Sequence, residues 1–131
     1  MILLDTHAWV WWVGAPEKLS AGARERIDEA KESRQVFVSS FSAWEVALLV
    51  ARGRLHLATD VDEWLGRCER LPFLRFVPVD HRIAIRSVRL PPPLHQDPAD
   101  RIIVATALAL GAELVTKDER LLNYPMVRTV W

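Results

Sequence analysis

The sequence predicts an α/β fold, a three-layer α/β/α sandwich in which helices cover both faces of a central, mostly parallel sheet. Three observations predict it. Short, apolar, β-rich segments recur at "ILL" (2–4), "VFVS" (36–39), "RFVPV" (75–79), "ELVT" (113–116) and "VRTV" (127–130), and such runs are typical of strands buried on both faces. Helical stretches separate them, and alternating strands and helices favour right-handed crossovers and parallel pairing. With 131 residues, 50% of them hydrophobic, the chain is expected to form one domain, 1–131, that buries most of an apolar core.

After Leu4 a Trp-rich helix is expected near 7–13, then a charged amphipathic helix near 20–33 that starts at "LSAGARERI". "FSAWEVALLVARG" (41–53) predicts a strongly apolar helix closed by Gly53. Further helices fit 60–70, 80–89, 98–110 and 118–122. "PPP" (91–93) reads as a stiff extended spacer that delivers the His95 segment to its helix. Asp97 followed by Pro98 is an N-cap pattern with proline at the first helical position, and Asp100 falls at the third.

Several function classes are excluded. No apolar run is long enough to span a bilayer. "MILLDTHAWV" has no basic leader and reads as a strand rather than a signal peptide, so the cytoplasm is the default location. The single cysteine, Cys68, rules out an internal disulfide and is expected to be packing material. A formal net charge of zero argues against nucleic-acid affinity by bulk charge, so any such binding needs a local patch. Arg82, Arg86 and Arg89 recur at one-turn spacing and either contact RNA phosphates or form an ordinary solvated face. His7, His56, His81 and His95 lack the paired spacing of zinc sites and are expected in surface or packing roles. There is no Gly-rich phosphate loop and no G-x-S-x-G elbow.

In open parallel sheets, ligands sit beyond the carboxyl ends of the strands. Asp5 directly follows the first strand. Asp118 follows "ELVT" with only Lys117 between, so the two emerge at one edge if both strands are parallel. Glu45 is the only charged residue from Phe41 to Ala51, among Phe41, Trp44, Leu48 and Leu49, where a lone carboxylate is costly unless something positive faces it. Asp100 continues the stripe Ile103, Val104, Ala107, Leu108 and is expected to point into the strand-end cleft. Helix capping or turn formation accounts for Asp5, Asp97 and Asp118 taken singly. Taken together, four acids in one cleft would repel and raise one another's pKa unless a divalent cation lay among them. Mg²⁺ or Mn²⁺ takes oxygen ligands, and such a site can activate water for displacement at phosphorus. Thr6 and Thr116 flank the acids and can donate hydrogen bonds to a carboxylate or phosphate, although strand propensity explains them as well.

At these residues the chain resembles the PIN-domain ribonucleases of VapC type, toxins of bacterial toxin–antitoxin pairs. "LLDTHAWVWW", "VSSFSAWEVALLVARGRL", "HQDPADRIIVATAL" and "LVTKDERL" each look like a family block, in the family's order and nearly end to end. The resemblance implies a parallel sheet flanked by helices, an endoribonuclease dependent on Mg²⁺ or Mn²⁺, a homodimeric toxin, and neutralisation by a VapB-type antitoxin. Carried over by position, the family's acidic quartet falls on Asp5, Glu45, Asp100 and Asp118, with Asp97 at a position often acidic in similar sequences.

Two other classes compete. A metal-dependent phosphatase or receiver-like domain would be expected to show a D-x-D pair where this chain has the single Asp5, and a suitably placed lysine, for which Lys117 is the nearest candidate. A non-catalytic binding module would use its acids only as helix caps. Trp9, Trp11 and Trp12 cannot all face one core, and the helix from 41 to 52 is apolar on nearly every side. Trp11 or Trp12 is therefore expected to form, with part of the Trp44 to Val50 surface, a groove for an apolar antitoxin segment, while a separate surface makes the homodimer.

Overall fold

A computed structural model describes all 131 residues. In chain order it contains β1 (Ile2–Leu4), α1 (Thr6–Gly14), a 3-10 turn (Pro16–Lys18), α2 (Ala21–Glu32), β2 (Val36–Ser39), α3 (Ser40–Ala51), α4 (Val61–Glu69), β3 (Leu74–Val77), α5 (His81–Val88), α6 (Pro98–Leu110), β4 (Glu113–Val115), α7 (Glu119–Leu122) and β5 (Thr129–Val130). One five-stranded sheet has the order β3-β2-β1-β4-β5, and every neighbouring pair is parallel. The third strand stops at Val77 rather than running to Val79, because Pro78 has no N–H to continue the ladder. The fifth is shorter than expected, two residues long. Gly53 ends α3 as expected, in the left-handed region at φ 69°.

Side chains alternate across the sheet, as strand geometry requires. Ile2, Leu4, Val36, Val38 and Val115 join Trp9, Ile27, Val46 and Trp64 in one buried layer, which also encloses Cys68. Leu3 and Leu114 join Ile103, Val104, Ala107, Leu121 and Tyr124 in the other. The tryptophans of α1 diverge. Trp9 is fully buried against Trp64, with ring centres 4.7 Å apart, Trp12 meets Phe73, and Trp11 is half-buried at the carboxyl-terminal edge of the sheet.

The strand order reverses beside β1. Crossovers through α1–α2 and α3–α4 place β2 and β3 on one side, whereas the connection through α5–α6 places β4 and β5 on the other. Such a reversal opens a crevice at the carboxyl ends of the two strands on either side of it. Here those strands are β1 and β4; Asp5 follows β1 directly, and Asp118 follows β4 after Thr116 and Lys117.

The connection from α5 to α6 has no regular structure, yet it carries His95 and Asp97. A single side chain pins it. The Arg101 guanidinium donates through Nε to the carbonyl of Ser87 (2.9 Å), through Nη1 to those of Leu94 (3.3 Å) and His95 (3.2 Å), and through Nη2 to those of Val88 and Leu90 (3.3 Å each). These five bonds match the five N–H donors of arginine. Tyr124 adds a hydroxyl bond to the Pro91 carbonyl at 2.7 Å. The triproline is not the extended spacer expected from sequence: the chain bends there, and the Pro92–Pro93 peptide is cis. Replacing Arg101 with Leu leaves those carbonyls without their donor, and urea unfolding is expected to show a loss of about 2 kcal/mol. A loss below about 0.5 kcal/mol, the range of an ordinary surface change, would show that the loop holds its shape without Arg101.

Candidate functional site

Asp5 is the N-cap of α1. Its Oδ1 accepts the Ala8 N–H at 3.0 Å, and its Oδ2 accepts the hydroxyl of Thr116. The Thr116 oxygen in turn accepts the Asp118 N–H at 3.1 Å. One buried threonine therefore ties the exit of β1 to the exit of β4. Thr6, also buried, has its hydroxyl 2.6 Å from Glu45 Oε1 and 2.9 Å from Ser42 Oγ. With one proton to give, it donates to the carboxylate and accepts from the serine. The protein group that meets the Glu45 carboxylate is thus a neutral hydroxyl.

Asp100 lies in the first turn of α6 with its Oδ2 2.6 Å from His95 Nε2. Asp97 caps α6 by accepting the Ala99 N–H at 3.0 Å, and Asp118 caps α7 by accepting the Arg120 N–H at 2.9 Å. The Arg120 guanidinium stands 3.1 Å from Asp118 Oδ2 and 3.6 Å from Asp100 Oδ2. Asp5, Glu45, Asp97, Asp100 and Asp118 line one open cleft of about 430 Å³, together with Thr6, His7, Trp11, Lys117 and Arg120.

The charge in this cleft is poorly compensated. Burial pushes the Asp5 carboxyl above its usual range, more strongly than the bonds from Ala8 and Thr116 pull it down. Burial likewise raises Glu45 against the Thr6 bond, and the charges of Asp100, Asp5 and Asp97 add to the rise. Asp100 is raised by burial and by Asp97 and Asp118, against the His95 bond. Asp118 differs: burial raises it, but the guanidinium bond, N–H and charge of Arg120 together outweigh burial and hold it below its usual range. Three deep carboxyls thus share a site in which the one arginine within ion-pair reach, Arg120 at 3.6 Å from Asp100, is shared with Asp118. An oxygen-rich donor set of this kind suits a hard divalent cation, and such a cation would supply the missing charge.

Sequence reasoning placed His95 in a surface or packing role; instead it reaches the acids. Its ring nitrogen and the carboxylate oxygens of Asp97 and Asp100 lie within 4.8 Å of one another. The spacing of five from His95 to Asp100 was visible, but the bend held by Arg101 was not. His7 lines the cleft, while His56 and His81 are exposed. The cations at the rim are Lys117 and Arg120. Arg82, Arg86 and Arg89 form an exposed row around Ile85 on α5, and none of them borders the cleft.

Beside the cleft lies an apolar groove of about 440 Å³, with Val10, Trp11, Leu55, Leu57, Trp64 and Leu71 among its walls. The expected partnership of Trp11 with the Trp44 to Val50 surface is not what forms it. Trp44, 55% exposed, stacks on Phe41 of its own helix, and the second wall comes from the 55–58 segment and α4. No helix is long and apolar enough to cross a membrane.

A family model described as the PIN domain matches residues 2–125. The chain is 39% identical over 132 residues to Ribonuclease VapC22 of Mycobacterium tuberculosis, an alignment covering 99% of this chain and 98% of that protein. The crystal structure of VapBC2 from Rickettsia felis bound to a DNA fragment from their promoter matches with a TM-score of 0.74 at 16% identity, covering 99% of this chain and 98% of that one. FitAcB from Neisseria gonorrhoeae matches at 0.68 and 23%, covering 100% and 97%. At these identities the two solved structures show a shared fold.

The raised carboxyls carry a pH signature. Asp5, Glu45 and Asp100 hold protons more tightly folded than unfolded. Without divalent ion, their contribution to stability is greatest below the ordinary carboxylate range near pH 4 and falls as pH rises through their raised folded-state values. The lowered Asp118 has the opposite sign, contributing stability above its unfolded value and losing it as pH falls through its folded one. In urea unfolding across pH in chelator, Glu45→Gln is expected to flatten part of the decline and to be at least as stable as the parent at pH 7. A variant more than about 1 kcal/mol less stable would make Glu45 a structural residue.

Proposed function

This chain belongs to the PIN-domain family, and on that footing we propose that it is a divalent-metal-dependent endoribonuclease, the toxin of a type II toxin–antitoxin pair, with Asp5, Glu45, Asp100 and Asp118 holding the metal ion. The observation that carries the proposal is the meeting of Asp5, Glu45 and Asp100 in one cleft at the strand-order reversal, each raised by burial, with Lys117 and Arg120 only at the rim. A ribonuclease is 39% identical over nearly the whole chain, which supports RNA as the substrate.

When bound, Mg²⁺ or Mn²⁺ supplies the lowered water pKa and the positive charge that phosphodiester hydrolysis needs. The residues of the chain do the rest. Thr116 and Thr6 each hold one oxygen of Asp5 and Glu45, fixing the carboxylates while leaving lone pairs for a ligand. His95 orients Asp100, and Arg101 holds the loop that presents His95. Arg120, with its guanidinium largely in solvent at the rim, can donate to a phosphate oxygen as the chain enters. Hydrolysis adds water across one P–O bond of the RNA. The exposed row of Arg82 and Arg86 would meet phosphates farther along the strand.

The partner in this reading is a VapB-type antitoxin with an apolar segment seated in the Trp11–Trp64 groove, and the toxin is a homodimer acting in the cytoplasm as a single domain, 1–131. Toxin–antitoxin complexes among the structural neighbours support the pairing.

RNA cleavage should require Mg²⁺ or Mn²⁺ and stop in chelator. Asp100→Asn, which changes charge but little volume, is expected to slow cleavage at least about a hundredfold and to abolish saturable Mn²⁺ binding in calorimetry. Undiminished cleavage in chelator, or by the variant, would overturn the assignment.

A further inference from the structure

Of the eleven residues lining the acid cleft, two are hydrophobic, Trp11 and Ile103. Ile103 is 2% exposed, so Trp11 supplies the cleft's open apolar surface. This indole is not enclosed as a core side chain would be. It is half-buried, and it meets Trp131 and His7 only at tilted angles, with ring centres 5.8 and 5.7 Å away. The Lys117 ammonium stands 5.7 Å from its ring centre, and Lys117 immediately precedes Asp118. A flat ring with a cation over one of its faces therefore lies beside five carboxylates.

A nucleotide has two parts that this arrangement sorts. The anionic phosphate is repelled by the acids unless positive charge is present, whereas the uncharged planar base is free to stack on an aromatic face. Trp11 follows Asp5, the N-cap of α1, by six residues, roughly 9 Å along the helix axis at 1.5 Å per residue. A phosphate held at the acids thus leaves the adjoining base within reach of the indole. We infer that Trp11, flanked by Lys117 and His7, is a stacking subsite for the unpaired RNA base next to the cleaved bond, with Lys117 meeting that nucleotide's phosphate. The inference rests on the ribonuclease reading and adds a requirement to it: the base must be free of a duplex to reach the ring. Because every base has a π-face, the subsite selects unpaired RNA rather than one particular base.

The test uses short single-stranded RNAs identical except for one abasic residue, placed in turn on each side of the cleaved bond. They are assayed with the parent, Trp11→Phe and Trp11→Ala. At one of the two positions the abasic RNA is expected to raise the parent's KM about tenfold, with a much smaller change in kcat. Trp11→Ala should raise KM by a similar factor on intact RNA and add nothing on the abasic RNA, while Trp11→Phe, which keeps a ring, stays near the parent. Equal KM for intact and abasic RNA at both positions, or Trp11→Ala and abasic effects that simply multiply, would overturn the subsite. The abasic comparison on the parent needs no substitution, so it decides the matter whether or not Trp11→Ala folds. A parent that cleaves no RNA would overturn the ribonuclease reading and the subsite together; normal cleavage indifferent to the missing base overturns the subsite alone.

Discussion

The site depends on the register of β1 against β4. Leu4 pairs with Val115, so the next residues on each strand, Asp5 and Thr116, emerge side by side. The Asp5 N–H continues the ladder to the Val115 carbonyl at 3.1 Å, and the Thr116 hydroxyl closes the gap by donating to Asp5 while accepting from the Asp118 N–H. A one-residue slip would turn Leu4 and Val115 toward the wrong layer, exchanging buried apolar faces and carrying both acids out of the cleft. The hydrophobic cost of misregister therefore enforces the geometry of the polar site.

Capping and cleft formation are compatible in this chain. Asp5, Asp97 and Asp118 each spend one oxygen on a helix N-terminus, where a carboxylate is favourable, and each keeps lone pairs facing the cleft. The caps hold the acids still, as a metal site requires. Glu45 and Asp100 cap nothing; their bonds to Thr6 and His95 are the only side-chain hydrogen bonds they make. Their burial among other acids works against folding, and the two apolar layers offset it. Such a local deficit is common where a fold reserves space for function.

Much of this was legible in the sequence because the signals were local. Continuous apolar strands separated by helices specify a parallel sheet, and the position of Asp5 and Asp118 just past strands identifies the edge on which they meet. The isolation of Glu45 among apolar neighbours marked it as anomalous, although the group that faces it, Thr6, is neutral. What could not be read depends on distant contacts. His95 reaches Asp100 because Arg101 gathers five carbonyls, two from the end of α5 and three from the loop after it, which has no periodic pattern. The groove beside Trp11 takes its second wall from the 55–58 segment and α4, since Trp44 finds a partner on its own helix. The regular spacing of Arg82, Arg86 and Arg89 drew attention to α5, while the cations at the cleft, Lys117 and Arg120, stand beside Asp118 with no spacing to announce them.

The central claim is that the acids of β1, α3, α6 and α7 together form one cation site. Anomalous diffraction from crystals grown with Mn²⁺ near neutral pH tests it most directly. The account predicts a manganese peak in the cleft within about 2.5 Å of carboxylate oxygens from both Asp5 and Asp100, with Glu45 and Asp118 beside it. Manganese found only at exposed carboxylates elsewhere, with the Thr116–Asp5 and Thr6–Glu45 bonds unchanged and no peak between them, would contradict it.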